Sequence, residues 1–245
     1  MPPPAPPPVA PDARQLWREL ATLGLVPRTL VAGPARALVR RPRPEARATV
    51  LLLPGWRSGE ATMAPLRAFL RARGHDAHPW GRGANIGDPA DHVHALAPRV
   101  AALADAGARV AIVGWSLGGV IAREVARLAP DAVSHVVTYG TPAVGGPTYT
   151  LGAAEWGAEV CARDAAGAAH RDATDPIRVP VTAVFSRRDR VVAWPACIDR
   201  TSHRVLHVEV RSSHAGMGID PHVWATAAAA IEGRLPAVST GRGTD

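Results

Sequence analysis

The chain has 245 residues, 47% of them hydrophobic, which is enough to bury one sizeable core. Its formal net charge of +7 is carried by arginine alone, with no lysine. The arginines are spread over several predicted helices, with no aromatic stacking run or zinc-finger spacing beside them, which argues against nucleic-acid binding.

The opening "MPPPAPPPVAP" (1–11) is proline-rich and uncharged, and is expected to be a disordered tail. It lacks the basic start and apolar run of a secretory signal, so a cytoplasmic location is expected. The longest apolar runs, such as "VWATAAAAI" (223–231), fall well short of the roughly 18 residues of a membrane span. Residues 12–46 read as an N-terminal helical extension, with Leu16, Trp17, Leu20 and Leu23 at helical spacing over 12–24. Arg36, Arg40, Arg41, Arg43 and Arg47 crowd its end and suggest weak association with anionic surfaces.

From residue 47 to 235 the pattern alternates. "TVLLL" (49–53) reads as a strand ending at Pro54-Gly55-Trp56, and Pro65, Leu66, Phe69 and Leu70 mark a helix that stops at Gly74. A short strand from Asp76 to Pro79 leads into "WGRGANIGDP" (80–89). That loop lacks the G-x-G-x-x-G order of a nucleotide site and is assigned to turns. A helix follows over 89–105, with a kink expected at Pro98. Its "DHVH" (91–94) points two histidines to different sides and reads as solvated helix surface, not a metal site.

The run "VAIV" (110–113) suits a strand buried on both faces, and Leu117, Ile121, Val125 and Leu128 recur at helical spacing after it. Ser116 sits between them in Gly-Trp-Ser-Leu-Gly, the G-x-S-x-G pattern of a nucleophile elbow. Such a turn lifts the serine oxygen out of the sheet toward the positive end of the following helix. "SHVVTYG" (134–140) is the next strand. Residues 141–176 lack strong periodicity and are the expected lid. Strands at 179–186 and 204–210 and a helix from Pro221 to Ile231 complete the domain, and the tail 236–245 is expected to be disordered. Strands alternating with helices at this spacing predict an α/β fold, a doubly wound and mostly parallel sheet flanked by helices.

A serine is a poor nucleophile until a base takes its proton, and an acid must orient that base. "RRDRVVAW" places Asp189 three residues past a strand end, and "RSSHAGMG" places His214 four residues past the last strand. Both therefore stand at carboxyl ends of strands, where ligands bind. His203, His207 and His222 fall in less suitable places, while Asp175, Asp199 and Asp220 are the rivals for the acid. Cys161 and Cys197 are expected to be free thiols, although a bridge between them stays open. No metal or organic cofactor is called for.

"LLLPGW", "GWSLGG", "SRRDRVVAW" and "SHAGMG", in that order, resemble the bacterial α/β-hydrolase superfamily, in particular small esterase or lipase-like members. The resemblance covers roughly residues 47–232. It implies Ser116 as nucleophile, Asp189 as orienting acid and His214 as general base, with an oxyanion hole from the backbone N–H groups of Trp56 and Leu117. Pro54 departs from the more familiar His-Gly start of that loop, which affects loop shape more than the backbone donors. The implied substrate is a small-molecule or lipid carboxylic ester. An acyltransferase or thioesterase would use the same triad, and a non-catalytic binding protein on the same fold is the remaining alternative. Trp56, Trp80, Trp115 and Trp156 are candidates to line an acyl site, with core packing as the competing fate.

Overall fold

The computed structural model describes residues 8–11 and 43–235. The helix expected over 12–24, most of the arginine cluster and the tail from Pro236 lie outside the described residues.

Six strands form one sheet, β1 (Thr49–Leu53), β2 (Asp76–Pro79), β3 (Val110–Trp115), β4 (Val133–Tyr139), β5 (Val181–Ser186) and β6 (Val205–Val210). Their order is β2-β1-β3-β4-β5-β6, and every neighbouring pair is parallel. The central strands read as near-continuous apolar runs because both of their faces are covered. Helices α1 (Ala64–Ala72) and α6 (Pro221–Ile231) cover one face, where Leu66, Phe69, Val223 and Ile231 pack on Val50, Leu52, Val113 and Val137. Helices α2 (Pro89–Asp105) and α3 (Leu117–Leu128) cover the other, packing Leu96, Val100, Ile121 and Val125 on Leu51, Leu53, Ile112 and Val136.

Helix starts follow from sequence. Asp88 accepts from the Ala90 N–H with Pro89 at the first turn of α2, and Asp220 accepts from the His222 N–H with Pro221 opening α6. Pro98 lies inside α2, which runs unbroken from Pro89 to Asp105. Gly74, at φ +98°, ends the turn after α1 as expected.

The segment without clear periodicity is helical, and one expectation, in α2, needs correction. The segment 141–176 holds a one-turn helix α4 (Ala153–Trp156) and a 17-residue helix α5 (Ala158–Thr174). Helix α5 buries only Cys161 and Asp172, so alanine and polar residues occupy nearly all of its surface and blur the apolar stripe. In α2, His92 is buried, not solvated: its Nδ1 accepts from Arg82 Nε at 2.7 Å, and its Nε2 is 2.8 Å from the Ile86 carbonyl. His94, on the other side, is exposed.

The chain goes from β1 outward to β2 and then crosses back to β3 on the other side of β1. That reversal opens a crevice beyond the carboxyl ends of β1 and β3, where ligands bind in open parallel sheets. Trp56 and Ser116 follow those two strand ends.

Candidate active site

Ser116 joins β3 to α3 with φ +53° and ψ −122°, a strained conformation for a residue with a side chain. The surrounding glycines make the turn sterically feasible. A Cβ at Gly114 would overlap the backbone of Gly118 and Gly119, and one at Gly118 would overlap the Leu53 carbonyl oxygen. One at Gly119 would strike the Thr141 side chain. The elbow is also hydrogen-bonded, since the Ser116 N–H donates to Tyr139 O at 3.0 Å and Thr141 Oγ1 donates to Ser116 O at 3.0 Å.

Asp189 follows β5 in a turn whose N–H donates to Ser186 O at 3.2 Å. Its Oδ1 accepts from the Val191 and Val192 N–H groups, both at 2.8 Å, which fixes the carboxylate's orientation. Its Oδ2 is 2.7 Å from His214 Nδ1. Both residues are buried. The Arg187 to Arg190 run offers salt-bridge partners in sequence, yet the described carboxylate bonds go to the histidine and the loop backbone.

His214 follows β6 and packs against Trp115, the residue before the serine, with ring centroids 5.5 Å apart. Below it lies Gly140 at φ +57°, where a Cβ would come within 2.9 Å of the imidazole and of Met217. The sheet thus brings the three predicted groups to one edge: Ser116 beyond β3, Asp189 beyond β5 and His214 beyond β6.

The rival residues have other roles. Asp199 is buried in an ion pair with Arg123 and accepts from Ser202; although burial works against its charge, these partners hold its carboxyl well below the usual range. Asp220 caps α6, and Asp175 pairs with Arg178 near the surface. His207 lies in β6, where burial lowers its pKa.

A cavity of about 590 Å³ opens on Ser116. Trp56, Leu117, Val120, Ile121 and Trp156 line its apolar part, and Glu124, Arg127 and Arg171 stand among its polar walls. Burial opposes the charge on Arg127, but Glu124 and Asp172 outweigh it and raise the guanidinium's pKa. Helix α5 contributes Gly167 and Ala168, so the segment expected as a lid walls the cavity. Trp56 and Trp156 meet with ring centroids 5.7 Å apart, and Arg57, itself paired with Glu155, lies 4.5 Å over the Trp56 ring.

The other two tryptophans are placed differently. Trp80 is fully buried in the core beside α2, its indole donating to Gly83 O at 2.9 Å, so it takes the core-packing fate. Trp115 packs between Tyr139 and His214, so its ring backs the imidazole and does not line the cavity. Cys161 and Cys197 are both free and buried. Burial, with the nearby Asp189 charge adding to it, pushes the Cys197 thiol well above its usual pKa, which keeps it an unreactive thiol. Among the described residues no group of three His, Cys, Asp or Glu side chains is placed to hold a metal ion.

The two backbone donors implied by the resemblance flank this cavity. Leu117 opens α3, where the first N–H groups have no intrahelical acceptor. Sequence reasoning did not find Thr141, the Val191 and Val192 amides or the charged cavity wall. Their roles depend on contacts between distant segments.

The sequence matches no family model and no curated protein. Solved structures do match. One solved structure, described as "LipS and LipT, two metagenome-derived lipolytic enzymes", gives a TM-score of 0.60 at 14% identity over 76% of this chain and 94% of its own. Lipase B of Aspergillus fumigatus gives 0.57 at 18% identity, over 84% of this chain and 60% of its own. The monoacylglycerol lipase of Paleococcus ferrophilus gives 0.57 at 14% identity, over 76% and 95%. The fold is therefore that of the α/β-hydrolases, whose neighbours here are hydrolytic enzymes. No described helix is long and apolar enough to cross a membrane.

Proposed function

We propose that the chain is a serine hydrolase that cleaves carboxylic esters through an acyl-enzyme on Ser116. The observation that carries this reading is the 2.7 Å contact of His214 Nδ1 with Asp189 Oδ2, held at the sheet edge that also presents the strained Ser116 elbow. A carboxylate fixed at Nδ1 sets the tautomer that leaves Nε2 free to act as base.

In the first half-reaction His214 takes the Ser116 proton as Oγ attacks the acyl carbonyl. The tetrahedral oxyanion is stabilised by the Leu117 and Trp56 N–H groups, and His214 then protonates the departing alcohol. In the second half-reaction water, deprotonated by His214, attacks the acyl-enzyme and Ser116 leaves with the proton. One oxyanion donor typically contributes about 10² to 10³ in rate. The apolar part of the cavity, between Trp56, Val120, Ile121 and Trp156, suits the acyl group. The lipolytic activities of the fold neighbours agree with this substrate class, but at 14–18% identity they carry the fold alone.

A fluorophosphonate probe tests the reading directly. An activated serine is labelled at Ser116 in the folded protein, and protein denatured before the probe is added stays unlabelled; an unlabelled folded protein contradicts the reading.

A further inference from the structure

The glycine-rich loop over residues 80–87 invites a phosphate-cradle reading, yet its backbone N–H groups already hold a carboxylate. Gly81, Arg82 and Gly83 donate to Glu60 Oε1 at 2.8, 3.1 and 3.2 Å, with Gly81 and Gly83 at φ +80° and +69°. These left-handed glycines turn successive amides toward one acceptor, forming an anion-binding nest. Glu60 lies in the segment that follows β1, only four residues past Trp56. The loop thus grips the oxyanion segment from its far end.

At the other end Asn85 grips it three more times. Its Nδ2 donates to Pro54 O at 2.7 Å, its backbone N–H donates to Ser58 O at 2.9 Å, and its carbonyl accepts from the Arg57 N–H at 2.8 Å. Asn85 is only 1% exposed. Trp56 sits between these tied residues, and its own N–H donates to no backbone carbonyl among the described residues. The loop in turn is fixed to α2 through the His92 contacts with Arg82 and Ile86. A backbone amide cannot be placed by its own side chain, so a hole built on one needs an outside clamp. Hydrogen bonds on both sides of the amide supply that clamp, the one from Asn85 to Pro54 buried, and preorganised donors are the ones that stabilise a developing charge.

We propose that Asn85 is a positioning residue for the oxyanion hole, acting through the Trp56 N–H, with Glu60 securing the same clamp at its outer end. The proposal rests on the serine-hydrolase reading above, because a hole matters only if Ser116 generates an oxyanion. It assigns the side chain of Asn85 no contact with substrate. Misplacing a catalytic group by about 1 Å costs up to ~10²-fold in rate, so loss of the Pro54 bond should act on turnover more than on binding.

The test uses the whole protein and a chromogenic ester, with active sites counted by fluorophosphonate titration. If the wild type is not labelled, the hydrolase reading fails and this proposal falls with it. Once labelling is established, Asn85→Ala should lower kcat per titrated site by about 10- to 100-fold, with KM within about twofold. The inhibition constant of an aryl boronate, which forms a tetrahedral serine adduct, should rise in parallel. An unchanged kcat per titrated site accompanied only by a lower melting temperature overturns the proposal while leaving the hydrolase reading intact. So does a change confined to KM. Should Asn85→Ala fail to fold, the half-exposed Glu60 decides: Glu60→Ala should lower kcat without raising KM, and Glu60→Gln, which keeps an acceptor oxygen, should restore it. Equal kcat in both Glu60 variants and the wild type overturns the clamp.

Discussion

His214 Nδ1 and Asp189 Oδ2 stand 2.7 Å apart in a buried pair, with the second carboxylate oxygen fully engaged by the Val191 and Val192 amides. In the proposed triad this geometry leaves Asp189 to orient the imidazole. Asp189→Asn keeps the shape but presents an amide that favours the wrong tautomer at Nδ1. Ester turnover should fall by about 10⁴-fold with the circular dichroism spectrum unchanged. A loss below about tenfold would transfer the orienting role elsewhere.

The elbow glycines should be indispensable to stability as well as to shape. Gly118→Ala drives a methyl into the Leu53 carbonyl, a backbone group that cannot swing away, and should cost about 3 kcal/mol or more. Gly59→Ala, where nothing lies within 4 Å of the added carbon and φ is −92°, should leave the urea midpoint nearly unchanged. Equal midpoints for the two variants would contradict the packing described.

Trp156 closes the cavity against Trp56, with its one-turn helix held by the Arg57–Glu155 ion pair. An aromatic pair contributes about 0.5–1.5 kcal/mol beyond its area, so Trp156→Ala should raise KM for long acyl esters roughly 2- to 10-fold while sparing acetate. Breaking the exposed Arg57–Glu155 pair alone should change stability by less than about 1 kcal/mol. Steady-state kinetics across acyl lengths separates the two effects.

Acidification should destabilise the fold before carboxylates titrate. Burial lowers the pKa of His75 and His207, and burial with the charges of Arg109 and Arg204 lowers that of His135 to about 4. In the folded chain His135 stays neutral down to about pH 4, and His75 and His207 take up protons at lower pH than in the unfolded chain, whose histidines titrate near the ordinary value of about 6.5. The unfolded state therefore gains protons first, and stability falls as pH drops from about 6.5 toward 4. His135→Gln, which keeps a partner for Thr182, should flatten the melting temperature's pH dependence in that window.

The sheet was legible because buried parallel strands are written as apolar runs, and Thr49–Leu53 and Val110–Val113 are such runs. The catalytic candidates were legible because each follows a strand end, a feature local in sequence. Helix α5 was not, since its alanines and charged residues face a cavity and solvent more than a core. The tryptophans were ambiguous because indole size does not specify direction: Trp80 is buried in the core and Trp156 lines the cavity beside Trp56. Asn85 left no sequence signal, because its meaning lies in a carbonyl at Pro54, 31 residues earlier.

The most direct measurement is hydrolysis of p-nitrophenyl esters, from acetate to palmitate, by the wild-type protein and by Ser116→Ala. The account predicts turnover by the wild type that the substitution abolishes, with the preferred chain length reporting what the cavity of about 590 Å³ accepts. Equal activity in the two proteins, or none in the wild type at any chain length, would contradict it.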